Sequence, residues 1–187
     1  MSPTEQLREE HAGIGSMLDI LAKICDLLES GKPVDQGHLE RILEFLKVFV
    51  DKCHHAKEED LLFPAMERAG VPGEGGPIGG MLAEHRLGRE YIGGMSEAAE
   101  KLGRGDRSAS PQFVRNARSY IGLLRAHIEK ENGILYPLAD RRIPEKTQRE
   151  LLADFDKVEE ERVGHGKHEE FHRLMDRLRK IYLLRTP

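Results

Sequence analysis

The chain has 187 residues, enough for one domain with a sizeable core. Its formal net charge of −4 offers no basic surface for nucleic acid, and no run of about 18 apolar residues is present to span a membrane. Charged residues make up 33% of the chain and runs of β-branched or aromatic residues at period two are missing, which points to amphipathic helices with wet outer faces.

Taken in chain order, Ser2-Pro3-Thr4-Glu5 reads as a helix start with a capping box. Leu7, His11, Ile14, Leu18, Leu21, Cys25 and Leu28 then recur every three or four residues as one buried stripe, which Ser30-Gly31-Lys32-Pro33 ends. Glu5, Arg8, Glu9 and Glu10 interrupt any apolar leader segment, so a cytoplasmic protein is expected. A second helix after Asp35 carries Leu39, Leu43, Leu46, Val50, His54, Glu58 and Leu61, and Pro64 should kink or end it. Gly70 to Pro77 is a loop. A third helix presents Met81, His85, Ile92, Met95, Ala99 and Leu102. Ser110-Pro111 opens the fourth, whose stripe is Phe113, Ala117, Tyr120, Leu124, His127, Glu131 and Ile134. After Pro144 a helix runs to about Val163, Gly164 and Gly166 break it, and a last helix carries His168, Phe171, His172, Met175, Leu178 and Tyr182. Cys25 and Cys53 lie in apolar helical patterns and read as two buried thiols. His38 and His55 fall off the stripes and are expected to face solvent, while Tyr120 shares the face of His127 and reads as core packing.

The chain also repeats itself. His11 is followed 43 positions later by His54, and His85 is followed 42 positions later by His127. Each second histidine has Glu at +4 and Pro at +10, namely Glu58 and Pro64, then Glu131 and Pro137. The single histidines share a context too, Glu10-His11 and Glu84-His85. Each of the four lies on its helix's apolar stripe, and each glutamate sits one turn along on the same face. Burying four imidazoles and two carboxylates without partners is very costly, and a pair of metal ions removes that cost. Thiolates are absent from these stripes. Imidazoles with two carboxylates placed to bridge favour iron over structural zinc.

At these residues the sequence resembles the hemerythrin-like family in its cation-binding HHE branch. The resemblance covers roughly residues 4 to 140 and includes both Leu-aromatic-Pro endings. It implies an up-down four-helix bundle, in line with the helix pattern, which gives an all-α, antiparallel four-helix bundle over 1–142 with an appended broken helix over 143–187 packing on it. It implies two non-haem iron ions, His11 and His54 on one, His85 and His127 on the other, with Glu58 and Glu131 bridging. It implies sensing, storage or handling of dioxygen, peroxide, nitric oxide or iron, with a di-iron oxidase or peroxidase as the alternative. The partner expected is a small diatomic molecule or peroxide, with neither nucleic acid nor membrane involved. The family has a further histidine four residues after the third one. Here that position is Arg89, so the second ion has an open site or takes a ligand from elsewhere.

His168-Glu169-Glu170-Phe171-His172 spells the H-E-x-x-H of zinc hydrolases, although only fifteen residues remain downstream for a third ligand. Two other readings stand beside that one. His165, His168 and His172 are polar residues on a capping helix, or His168, with Glu169 or His172 beside it, reaches the metal centre and supplies what Arg89 does not.

Overall fold

The computed structural model describes residues 1–164 and 166–184, and His165 lies outside them. The described residues form six helices and no strand. Helix α1 is Pro3–Glu29, opened by the expected capping box: the Ser2 hydroxyl accepts from the Glu5 amide while Glu5 accepts from the Ser2 amide. Helix α2 covers 36–68, with the Asp35 carboxylate accepting from the His38 amide at its start. Helix α3 is Pro77–Gly103 and α4 covers 110–142. Helix α5 covers 145–163 and α6 is Lys167–Tyr182, with Gly164 and Gly166 at φ +87° and +77° between them. None of these helices is long and apolar enough to cross a membrane.

Two departures from regular helix geometry position the functional side chains. Within α2 the turns Leu46–His55 and Glu58–Leu62 are π-helical, and within α4 so is Glu131–Leu135. By its chemistry alone Pro64 should kink or end α2, yet the helix continues to Arg68, and Pro137 likewise sits inside α4. In each case the wide turn lies directly before the proline. Phe63 donates its amide to the Glu58 carbonyl and Tyr136 to the Glu131 carbonyl, five residues back. The prolyl ring, which lacks an N–H and would collide with the carbonyl of a tighter turn, is accommodated by that widening.

A wide turn holds one extra residue, so the buried stripe slips by one position beyond it. Leu62 rather than Leu61 is fully buried, and Leu135 is buried where Ile134 is 62% exposed. The widened stretch ending at His55 has the same effect, and the expected exposure of His55 is corrected by it: both His54 and His55 are buried. His38 is half-buried, its Nδ1 2.8 Å from the Tyr182 hydroxyl. Cys25 and Cys53 are buried free thiols, pushed up to about 11 and about 12 chiefly by burial.

The apolar interior forms two clusters. The larger gathers Leu18, Leu21, Phe45, Leu46, Phe113 and Tyr120, with Phe171, Leu174 and Leu178 of α6 added to it. The smaller gathers Leu7, Leu62, Phe63, Met66, Leu135 and Tyr136, with Leu151 and Phe155 of α5. In α1, α2 and α4 the histidines and glutamates of the repeat lie between the segments that feed the two clusters, so the polar layer is walled from water on both sides.

Candidate metal centre

The repeat brings its six side chains together. His11, His54, His85, His127, Glu58 and Glu131 are all buried, and each carboxylate is wholly shielded from solvent. The imidazoles meet in pairs, His11 with His54 and His85 with His127, each pair with Nε2 atoms 3.0 Å apart. The glutamates link the pairs. Glu58 Oε2 lies 3.4 Å from His85 Nε2 and 3.8 Å from His54 Nε2. Glu131 Oε1 lies 3.0 Å from His127 Nε2, and its Oε2 lies 3.2 Å from His11 Nε2. Each carboxylate therefore touches one imidazole of each pair.

The outward nitrogens all face acceptors. His54 Nδ1 faces Glu10 at 2.8 Å, His127 Nδ1 faces Glu84 at 2.8 Å, and His85 Nδ1 faces Glu59 at 2.7 Å. His11 Nδ1 faces the Asn132 side-chain oxygen at 3.0 Å. An acceptor in front of Nδ1 keeps the proton there, which leaves Nε2 a bare lone pair. Each pair of facing Nε2 atoms is then lone pair against lone pair, with carboxylate oxygens alongside. Glu58 Oε2 and both Glu131 oxygens are buried without a hydrogen-bond partner. Such a set fits cations and little else, because every inward atom is an electron-pair donor.

Without cations the cluster compensates with protons. Burial, and then the charge of Glu131, push Glu58 well above the usual carboxylate range. Burial opposes ionisation of Glu131 as well, but its contacts with His11 and His127 outweigh it and hold that carboxyl well below the range. Burial lowers His127, yet Glu131 and Glu84 raise it further than burial depresses it. His54 goes the other way, down to about 4, because burial dominates the pull of Glu10.

His55 stands with this set although its place off the helical stripe put it outside. One ligand atom each from His55, Glu58, His85 and His127 lie within 4.8 Å of one another, and the same holds for His11, His54, Glu58 and Glu131. The His55 ring stacks on that of His85, with centroids 3.8 Å apart. Tyr136 stacks on His11 at 5.4 Å, and its hydroxyl donates to Glu58 Oε1 at 2.6 Å. Tyr120 is fully buried in the larger apolar cluster, as its stripe implied.

His168, Glu169 and His172 are not brought into either group. His168 is half-buried, 5.4 Å from the Phe49 ring and 4.8 Å from the His172 ring, while Glu169 and His172 are exposed. His168 and His172 border a groove that Phe49, Glu159 and Glu10 also line, and Glu10 stands behind His54. Arg89 belongs to neither group: it pairs with Asp51 at 2.7 Å and Glu59 at 2.8 Å, carboxylates that face His55 and His85.

An all-helical chain whose interior holds converging imidazoles and shared carboxylates defines a metal-binding helical protein. The family model of the hemerythrin HHE cation-binding domain matches residues 2–139, and the chain belongs to that family. No curated protein and no solved structure matches it.

Proposed function

We propose that the chain is a non-haem di-iron protein that senses, stores or handles dioxygen, peroxide, nitric oxide or iron. The observation that carries this reading is the placement of Glu58 and Glu131, each in contact with one imidazole of both pairs. That is the arrangement of two bridging carboxylates, and mixed imidazole and carboxylate donors without thiolate suit iron. We read α1 to α4 as an up-down antiparallel four-helix bundle, supported by the packing of α4 against α1 and α3 and of α2 against α3. Iron bound there supplies redox chemistry and a coordination position for a small diatomic ligand or peroxide. The chain's own residues hold the ions, fix the imidazole tautomers through Glu10, Glu59, Glu84 and Asn132, and exclude water through the two apolar clusters.

Elemental analysis of protein expressed with ample iron tests the proposal. About two iron ions per chain, with the charge-transfer absorption of a ferric pair, is the expected result, and a clean single zinc defeats it. A second reading, a di-iron oxidase or peroxidase, draws on Tyr136, whose buried hydroxyl puts a transferable proton against Glu58. Turnover with peroxide separates the two.

A further inference from the structure

We propose that His55 is a third imidazole ligand to the ion held by His85 and His127, positioned for that task by Asp51 and Arg89. The inference rests on the two-metal reading above.

Four observations converge on it. His55 Nε2 is buried and has no hydrogen-bond partner, whereas buried polar atoms almost always have one. A ligand atom of His55 lies within 4.8 Å of those of Glu58, His85 and His127. Its Nδ1 points the other way, 3.4 Å from Asp51 Oδ1, as the Nδ1 of each other centre histidine faces an outer acceptor. The fourth concerns Arg89. Its Nε meets Asp51 at 2.7 Å and its terminal nitrogen meets Glu59 at 2.8 Å, and Glu59 in turn faces His85 Nδ1 at 2.7 Å. One guanidinium thus ties together the carboxylates behind two stacked imidazoles. Outer partners of this kind orient metal-binding histidines.

The repeat supplies an internal control. By the His54-to-His127 alignment, His55 corresponds to Ile128 and Asp51 to Leu124, and by the His11-to-His85 alignment Arg89 corresponds to Gly15. The three polar residues appear together in one half and are apolar or absent in the other. A ligand set particular to the second ion gives all three a common use. The two ions are then inequivalent, one with two imidazoles and the other with three.

Cobalt(II) is a suitable probe, because each imidazole bound through Nε2 with its Nδ1–H protected contributes one exchangeable, hyperfine-shifted N–H resonance. The cobalt-loaded wild type is expected to give five such resonances. His55→Asn and His55→Phe are expected to give four and to bind the second cobalt at least about tenfold more weakly, with the first unchanged. Arg89→Met should keep five, move the His55 resonance, and weaken the second cobalt by about tenfold. Four resonances in the wild type overturn the role of His55 while leaving the metal pair intact, even where a variant fails to fold. A wild type that binds fewer than two cobalt ions defeats the two-metal reading instead.

Discussion

Lys57 and Glu10 form an ion pair 2.6 Å long in the interior, with the lysine side chain wholly shielded from solvent. The other Glu10 oxygen accepts from His54 Nδ1 at 2.8 Å, so the lysine supports the acceptor that orients a histidine of the candidate metal centre. Glu10 is held at about 2: burial opposes its ionisation, but His54 and Lys57 outweigh it. The other half of the chain has the same device, with Lys130 paired to Glu84 and Glu84 facing His127, but there the lysine is 40% exposed.

That difference in burial sets the first prediction. Lys57→Met leaves Glu10 buried with an uncompensated charge. It should cost about 3–5 kcal/mol in chemical unfolding and lower metal affinity about 10–100-fold in chelator competition. Lys130→Met, in a solvated pair, should cost under about 1 kcal/mol. Equal losses in the two variants would show that burial of Lys57 is energetically idle.

Much of this outer layer is legible in the sequence. Both copies read His-x-x-Lys-Glu, and both single histidines follow a glutamate. In the fold, the glutamate before each single histidine faces the second histidine of its own pair, the lysine holds that glutamate, and the residue after each +4 glutamate faces the single histidine of the opposite half. The repeat of Lys57 and Lys130 is the available signal for it. His55 is not legible, because a strict helical period places it off the stripe, and only the widened turn rotates it inward. Pro64 and Pro137 hint at irregularity, but a proline alone reads as a helix end rather than as a wide turn within a helix that continues.

Glu58 supports a prediction about pH. Its carboxyl is pushed well above its unfolded value of 4.5, first by burial and then by Glu131. The metal-free folded chain therefore keeps this proton where the unfolded chain has lost it, and the resulting stability drains away as pH rises above 4.5. Glu58→Gln mimics the protonated form at every pH. At neutral pH the metal-free variant should be more stable than the metal-free wild type, because its amide stays neutral in the buried site without holding a proton. Its iron content should nevertheless fall. Iron binding to the wild type should release protons into a weakly buffered solution, and less so in Glu58→Gln. Identical proton release by the two proteins would contradict this account.

Tyr136 and Phe63 occupy equivalent places, since each follows a wide turn, precedes a proline and stacks on the single histidine of a pair. Only Tyr136 carries a hydroxyl, which donates to Glu58 Oε1 at 2.6 Å. Because Phe63 shows that the bare ring is accommodated in the other half, Tyr136→Phe should preserve packing and remove one buried hydrogen bond. The expected loss in the metal-free protein is about 1–3 kcal/mol, and Phe63→Tyr should give no matching gain. Thermal unfolding of the three proteins checks this, and a neutral Tyr136→Phe would mean that Glu58 draws nothing from the hydroxyl.

The last helix offers the sharpest contrast between packing and ligation. Phe171 is 1% exposed and meets Phe45 edge-on at 5.4 Å, joining α6 to the larger apolar cluster. His168, one turn earlier, is half-buried against Phe49 and belongs to neither candidate metal-binding group. Phe171→Ala should therefore destabilise the protein by about 3–5 kcal/mol, with the cost set by how far α6 can settle into the space left behind. His168→Ala should leave iron content and visible absorption as in the wild type, because the groove it lines includes Glu10, the acceptor behind His54, and none of the six inward side chains. Both variants can be read in one experiment, with unfolding followed by circular dichroism and iron by its absorption. Loss of iron in His168→Ala without loss of stability would place that imidazole in the metal centre after all.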